Sequence, residues 1–246
     1  CDTGFDYRKD SLVTLEQAKV TTVVVIAAVI LTMLGVAWWH METTRQQIFE
    51  SNALVSARSY ANTFVSLRTY YTKEVVSRVP RNSVTVSHDY ANIDHAIPLP
   101  ATLTIQLAEE ISRQSEGFSA RLYSNYPFPW RSESSTLDGF EQRAIQQLSE
   151  SPDEPYYEFE KSPDGGNLRY AAADIMRPAC VACHNSHPQS PKRDWKVGEL
   201  VGVLEISMPL YVSTNTIMDT YDYLIICFII GGIIMLTTVI WVTGRR

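Results

Sequence analysis

The pentapeptide Cys180-Val181-Ala182-Cys183-His184 is the stretch whose residue types and spacing point most directly to chemistry. Two thiols three positions apart can each add to one vinyl group of a porphyrin, and the histidine that follows can bind its iron. A zinc site would need a second pair of ligands, and His187 supplies only one more nearby. A thioredoxin-like dithiol would not need the trailing histidine. The motif therefore predicts one covalently attached haem c, with a coincidental thiol pair, half of a zinc site or a redox dithiol as the alternatives.

The second axial position of such an iron decides between two kinds of function. A strong protein ligand there favours electron transfer, whereas an open position lets a gas or a small anion bind. The candidate ligands are His88, His95, Met176 and Met208. The histidines stand in a polar stretch, where surface positions are the alternative reading. The methionines stand in strand-like stretches, where filling a core is the alternative.

Further candidate contacts to a haem lie on a predicted helix. Arg68 is suited to pairing with a propionate, and Tyr71 lies one turn further on. Both residues fit an ordinary helix face equally well. Trp195 is suited to packing on the macrocycle or in a core. Since the sequence shows neither a nucleophile–base pair nor a peroxidase-like distal set, we expect no enzymatic activity.

Composition and hydropathy describe a membrane protein with a polar middle. A net charge of −6 and a pI of about 5.4 argue against a nucleic-acid partner. Two uncharged apolar runs, residues 20–39 and 223–242, are each long enough to cross a hydrocarbon core of roughly 30 Å. Trp39 and Tyr223 mark the inner ends of the two runs, as interfacial aromatics do. The runs predict two transmembrane helices, the alternative being buried core helices.

Basic residues outside the two runs predict the orientation of the chain. They are Arg8, Lys9 and Lys19 before the first run and Arg245 and Arg246 after the second. The positive-inside rule then places both ends in the cytoplasm. We therefore expect a loosely ordered cytoplasmic tail at 1–19, a haem-binding domain at 40–222 and a cytoplasmic end at 243–246. That domain would face the periplasm from the bacterial inner membrane, on the side where haem c is attached.

The remaining cysteines leave no pair for a structural disulfide, since Cys227 lies in the second apolar run and Cys1 begins the chain. A chain that begins with cysteine in place of methionine suggests a truncated N-terminus. The alternative is lipoprotein processing, which would leave an acylated Cys1 outside the cell and contradict the topology.

Hydrophobic periodicity predicts an α+β domain with a small antiparallel sheet between the two membrane runs. Apolar residues at spacings of three and four predict a long helix over 41–79, continuous with the first run and ended by Pro80. After a proline-fixed loop at 97–101, the patterns predict a helix that is capped by Thr102 or Thr104 and runs to Ile111, and a second helix at 137–148 with Asp138 in its first turn. Strands are predicted at 118–124, 156–160, 168–173 and 200–208. A turn at 164–167 joins the second and third of these strands, and a haem-bearing loop follows the third.

Several stretches are long and unusual enough to carry a resemblance to a known family. They are residues 70–76 (YYTKEVV), 97–104 (IPLPATLT), 121–129 (RLYSNYPFP), 136–138 with Phe140 and Glu141, 180–188 (CVACHNSHP), 190–192, 194–198 (DWKVG) and 202–205 (GVLE). Together they resemble the PAS-like periplasmic c-type haem domains of bacterial membrane sensors. The similarity spans essentially the whole segment between the apolar runs.

The resemblance implies a PAS-like sensory module, usually at the head of a membrane protein whose cytoplasmic end is a cyclase, a kinase or a similar output. It also implies that a cysteine can fill the upper axial position in some relatives, whereas residues 40–222 hold no cysteine outside the motif. After residue 242 only four residues follow. We therefore expect a chain that is cut short, one that acts through a partner, or a module with another task.

Two functions follow as expectations. The first is a haem-based redox or gas sensor, whose partners would be the membrane, a second copy or another membrane protein, and a small gas ligand. The second is an electron-transfer cytochrome subunit of a larger membrane complex. The resemblance favours the first, and the short end after the second apolar run favours the second.

Overall fold

The computed structural model describes residues 4–80, 82–134, 136–160, 166–210 and 215–244. The chain divides into two compact units, one of residues 1–48 and 213–246 and the other of residues 49–212. Cys1, Arg245 and Arg246 lie outside the described residues, as do the first two residues of the turn predicted at 164–167.

The elements confirm a mixed α+β chain with a long first helix. The helices are α1 (Gly4–Tyr71), α2 (Pro100–Gln114), α3 (Gly139–Glu150), α4 (Pro178–Ser186) and α5 (Asn215–Gly244). The strands are β1 (Thr85–Ser87), β2 (Ala96–Pro98), β3 (Ser119–Tyr123), β4 (Tyr156–Glu160), β5 (Asn167–Ile175) and β6 (Leu200–Pro209). The predicted strands at 118–124, 156–160, 168–173 and 200–208 are thereby confirmed.

Helix α1 contains the one candidate membrane span among the described residues, within Gln17–Val76. Its most apolar window is unburied, as a lipid-facing surface requires. The second predicted span falls on α5, where the apolar stretch found among the described residues is Ile225–Met235. Eleven residues are fewer than the roughly 20 that cross a bilayer, so the second span stays a prediction.

The prediction of a loosely ordered tail at the N-terminus is wrong from residue 4 onward, because helix α1 already begins at Gly4. Extending a helix adds one hydrogen bond per ordered residue, whereas nucleating a new one is unfavourable. No proline occurs between Gly4 and Pro80, so the apolar run extends its helix in both directions. The prediction of a helix running on to about residue 79 is confirmed, with a π-helical turn at Thr72–Val76 closing it.

A four-stranded antiparallel sheet of order β3-β6-β5-β4 forms the middle of the second unit. One face packs on α1 and α2 through a core that includes Phe64, Leu168 and Ile206. The other face packs on α3 through a core that includes Leu148 and Val203. Alternate strand residues therefore enter two different cores, and both faces of the sheet carry apolar side chains.

Three local predictions are corrected. Helix α2 begins at Pro100, not at Thr102 or Thr104, since proline at the first helical position has the required φ and lacks an N–H that would have no partner there. Asp138 is the N-cap of α3 and forms a capping box with Glu141, so it precedes the first turn. The segment predicted as a haem-bearing loop is helix α4. The parallel pair β1–β2, part of which falls in the predicted proline loop, was not foreseen.

Candidate haem-attachment site

Helix α4 carries the whole pentapeptide and follows directly on the end of β5. Pro178 opens the helix, and the backbone N–H of Cys180 donates to the Arg177 carbonyl at 2.9 Å. Residues three apart lie on the same face of a helix, so Cys180 and Cys183 point the same way. The first is half-buried and the second is exposed. Both thiols are thus placed for attachment to one group.

The end of α4 is fixed to the segment that precedes β6. The Asn185 side chain donates to the backbone carbonyl of Trp195 at 2.9 Å and accepts from the backbone N–H of Trp195 at 3.0 Å. This double hydrogen bond holds the indole of Trp195 near the His184 ring, with ring centroids 6.4 Å apart and planes nearly perpendicular. His184 is therefore oriented by a neighbour in sequence and by a residue eleven positions later.

The His184 imidazole lies in a partly buried, aromatic environment. The Phe128 ring meets it edge to face with centroids 5.2 Å apart. Burial lowers the pKa of His184, the charge of Asp174 opposes this shift, and His187 adds to it. The neutral imidazole that this environment favours is the form of histidine that binds a metal.

An aromatic cluster continues outward from His184 through Phe128, Trp130, His187 and His88. Phe128 stacks on Trp130 at 4.5 Å, and Trp130 stacks on His88 at 4.0 Å with an interplanar angle of 6°. The His187 ring lies edge-on to both Phe128 and Trp130, at 5.3 and 5.6 Å. Sequence reasoning did not identify Phe128 and Trp130 as site residues. The signal was present, since both rings stand in a proline-rich aromatic segment shortly after a predicted strand.

A buried ion pair joins α1 to the strand that leads into the site. Arg68 donates to Asp174, and their side chains are 9% and 11% exposed. Asp174 is also the carboxylate whose charge acts on His184. Arg68, predicted to pair with a propionate, is thus paired with a protein carboxylate. Tyr71 instead donates its hydroxyl to the Pro98 carbonyl at 2.8 Å, which ties the end of α1 to β2.

The structure separates the candidates for the upper axial position. His88 belongs to the aromatic cluster that contains His184. His95 is exposed, with a left-handed backbone at φ 55°. Met176 is 1% exposed and its backbone pairs with Gly198 and Glu199, while Met208 packs in the core between the sheet and α1. Which of them binds iron stays a prediction.

The residues present fit a covalent haem. Cys180 and Cys183 offer two thiols on one helix face, and His184 offers a neutral imidazole beside them. The indole N–H of Trp195 is buried and has no acceptor among the described residues, so a cofactor carrying carboxylates would satisfy it. The part of the chain that the structure describes contains no group of three or more His, Cys, Asp or Glu side chains placed to hold a metal ion.

Comparison with models of known protein families gives a match. A family model described as Tll0287-like matches residues 45–209, which include β1 to β6 and α2 to α4. No curated protein and no solved structure matches the chain.

Proposed function

Since the chain belongs to the Tll0287-like family, whose members are periplasmic c-type haem sensor domains, we propose that it is a membrane-anchored, PAS-like monohaem cytochrome that senses redox state or a small gas. The observation that carries the proposal is the placement of His184. It stands beside two thiols on α4 and within the field of an Asp174–Arg68 pair that reaches α1.

The residues of α4 have separate tasks. Cys180 and Cys183 would hold the porphyrin through two thioethers, and His184 would ligate the iron through its neutral imidazole. When bound, the haem supplies an iron that changes charge on oxidation or takes a diatomic ligand. Phe128 and Trp195 flank the imidazole and fix its orientation.

The Asp174–Arg68 pair is the proposed route from the site to α1. Electrostatic interactions are strong where side chains are buried, so a change of charge near His184 alters the balance between Asp174 and Arg68. Arg68 stands in the last turn of α1, the helix that also contains the candidate membrane span. A π-helical turn at Thr72–Val76 follows, a feature frequent at functional sites. A sensor requires an element that can adopt two conformations, and the end of α1 with this turn is the proposed one.

The test is a redox titration of the haem-loaded full chain in detergent, with optical spectra taken with and without carbon monoxide and nitric oxide. Arg68→Met leaves the negative charge of Asp174 unbalanced near the iron, which stabilises the oxidised form and should lower the midpoint potential. Asp174→Asn should raise it. Arg113→Met, which removes an exposed arginine on α2, should leave it unchanged. Equal potentials in all four proteins would refute the proposed route.

The gas arm of the experiment separates the two kinds of sensing. A spectral change with carbon monoxide or nitric oxide at physiological pH supports gas sensing through an exchangeable upper ligand. Spectra indifferent to both gases, with a single reversible midpoint, support redox sensing. If His88 is the second iron ligand, His88→Ala should turn spectra that are indifferent to both gases into spectra that change with them, whereas His95→Ala should not.

The alternative is an electron-transfer subunit, which the exposure of Cys183 on α4 supports, because a haem attached there would be accessible to a partner at the surface. Rapid reduction by a membrane fraction, unaffected by Arg68→Met, would favour this alternative. In both cases we propose a second copy or another membrane protein as partner and no enzymatic activity.

We further propose that the chain crosses the bacterial inner membrane twice, with residues 40–222 in the periplasm and both ends in the cytoplasm. Reporter fusions after residues 19 and 246 and within 40–222 test this topology. A fusion after residue 246 that is active in the periplasm would overturn it.

A further inference from the structure

A polar recess of about 310 Å³ lies on the α3 side of the sheet, lined by residues of all four strands and of α3. Its charged lining consists of Glu141, Glu160, Glu205, Arg121 and Arg169. The strand residues that line it continue the face on which Val203 packs against α3, but α3 does not fill this part of the face.

The recess is separate from the haem-attachment site. Asn167 and Arg169 line it from the start of β5, whereas α4 follows the end of that strand at Ile175. On β6, Glu205 and Ser207 line it from the second half of the strand. A ligand in the recess would therefore occupy the opposite end of β5 from the haem.

Two of its carboxylates are buried. Glu141 is 0% exposed, and its two oxygens face the Asp138 N–H at 2.9 Å and the Arg121 guanidinium at 2.8 Å. Glu205 is 5% exposed, and its Oε1 accepts from Arg169 Nε at 2.6 Å. The other oxygen of Glu205 is buried and has no hydrogen-bond donor among the described residues. A buried acceptor without a donor is destabilising, so this oxygen is where a ligand would donate.

The charge of the recess is negative. Three carboxylates line it together with two guanidinium groups, and Asp138 adds a fourth carboxylate through its ion pair with Arg169 at 2.8 Å. Burial raises the pKa of Glu205, Arg169 opposes this shift, and Glu141 and Asp138 add to it. A positively charged ligand would stabilise the ionised form of Glu205.

The arrangement favours an organic cation over a metal ion. Within the described residues no three acidic, histidine or cysteine side chains converge at metal-binding distance, and arginine side chains lie between the carboxylates. A volume of about 310 Å³ falls at the lower end of the range for small-molecule sites. We propose that the recess binds a small primary ammonium compound, whose ammonium group donates to Glu205 Oε2.

Isothermal titration of the haem-loaded full chain in detergent tests the proposal, with ethanolamine and 1,4-diaminobutane as probes. Calcium chloride and sodium acetate serve as the other two arms. We expect saturable binding of one amine per chain and no binding of calcium or acetate. Absence of amine binding, or calcium binding tighter than either amine, would overturn the proposal.

Variants locate the site. Glu205→Gln keeps the shape of the side chain and an acceptor for Arg169 but removes the charge, so amine affinity should fall about 10- to 100-fold. Glu110→Gln makes the same change on the exposed face of α2 and should have no effect. Ser119→Leu places a larger side chain in the recess from an exposed strand position and should weaken amine binding at least as much while leaving Glu205 intact.

The haem absorption spectrum of each variant shows whether the fold and the haem site survive. Wild-type amine affinity in both Glu205→Gln and Ser119→Leu would refute the site even if the amines bind elsewhere. Since the haem is read by its spectrum and the amine by heat, failure of this proposal is distinguishable from failure of the proposed sensor.

Discussion

Removing the cation of the buried pair on α1 gives the sharpest stability prediction. In Arg68→Met the carboxylate of Asp174 is left in an environment where its side chain is only 11% exposed. Breaking a buried ion pair by deleting one partner costs about 3–5 kcal/mol, because the other charge is left uncompensated. An aliphatic side chain of similar length keeps most of the packing, so the loss is chiefly electrostatic.

The assay is thermal unfolding of the haem-loaded full chain in detergent, followed by near-ultraviolet circular dichroism. In a folded unit of this size each kcal/mol shifts Tm by about 2–4 °C, so Arg68→Met should lower Tm by about 6–20 °C. Arg113→Met serves as the matched control. Its side chain is 66% exposed and pairs with Glu110 on the surface of α2, so Tm should not change measurably.

A double-mutant cycle with Asp174→Asn isolates the interaction. The double variant should be less destabilised than the sum of the single variants, with a coupling free energy of about 0.5–3 kcal/mol. Strict additivity would mean that the two side chains do not stabilise each other. A Tm for Arg68→Met equal to that of Arg113→Met would contradict the reasoning from burial altogether.

Three further variants test local features of the second unit. In Gly202→Ala the new Cβ would lie 2.6 Å from the Tyr123 carbonyl oxygen, so the strands must shift and the free energy of unfolding should fall by about 1–3 kcal/mol. In the control Gly35→Ala the new Cβ meets nothing within 4 Å, so the same denaturation assay should show no destabilisation. Asp138→Ala removes the N-cap of α3 and should cost about 0.5–2 kcal/mol, seen as a lower Tm, whereas unchanged stability would contradict the capping box. Burial raises the pKa of Glu205, so the folded state holds more protons than the unfolded state. Stability should therefore increase as pH falls from the raised pKa toward the usual value of 4.5. Glu205→Gln should flatten the pH dependence of Tm, and a slope identical to that of the wild type would refute the raised pKa.

The parts of the fold that depend on local pattern were predictable from the sequence. Alternating apolar residues at 200–208 and the short run at 156–160 predict strands that form as β6 and β4. The pentapeptide at Cys180 predicts attachment chemistry from spacing alone, and the structure adds that helix α4 places the two thiols on one face. The local pattern did not predict that α4 is a helix, because its nine residues have no marked apolar side.

The surroundings of His184 were not predictable in the same way, because they are assembled from distant segments. Arg68 and Asp174 are 106 positions apart and meet only when α1 packs on the sheet. His88 reaches the aromatic cluster from the segment around β1, and Trp130 reaches it from a 3-10 helix at Pro129–Ser134 that follows β3. A single sequence gives residue types and spacing but not such long-range pairings. The polar recess escaped sequence reasoning for the same reason, since its charges lie on four different strands and a helix.

Covalent attachment of haem at α4 is the claim on which the proposed function rests. The most direct measurement is haem staining of the full chain after denaturing electrophoresis, combined with mass spectrometry of the tryptic peptide that contains Cys180 and Cys183. We expect a stained band and a peptide carrying one haem on both thiols. Cys180→Ser with Cys183→Ser should abolish both signals, and Cys227→Ser, which changes a cysteine in α5, should abolish neither. An unstained band with both thiols of the pentapeptide open to alkylation would contradict the account.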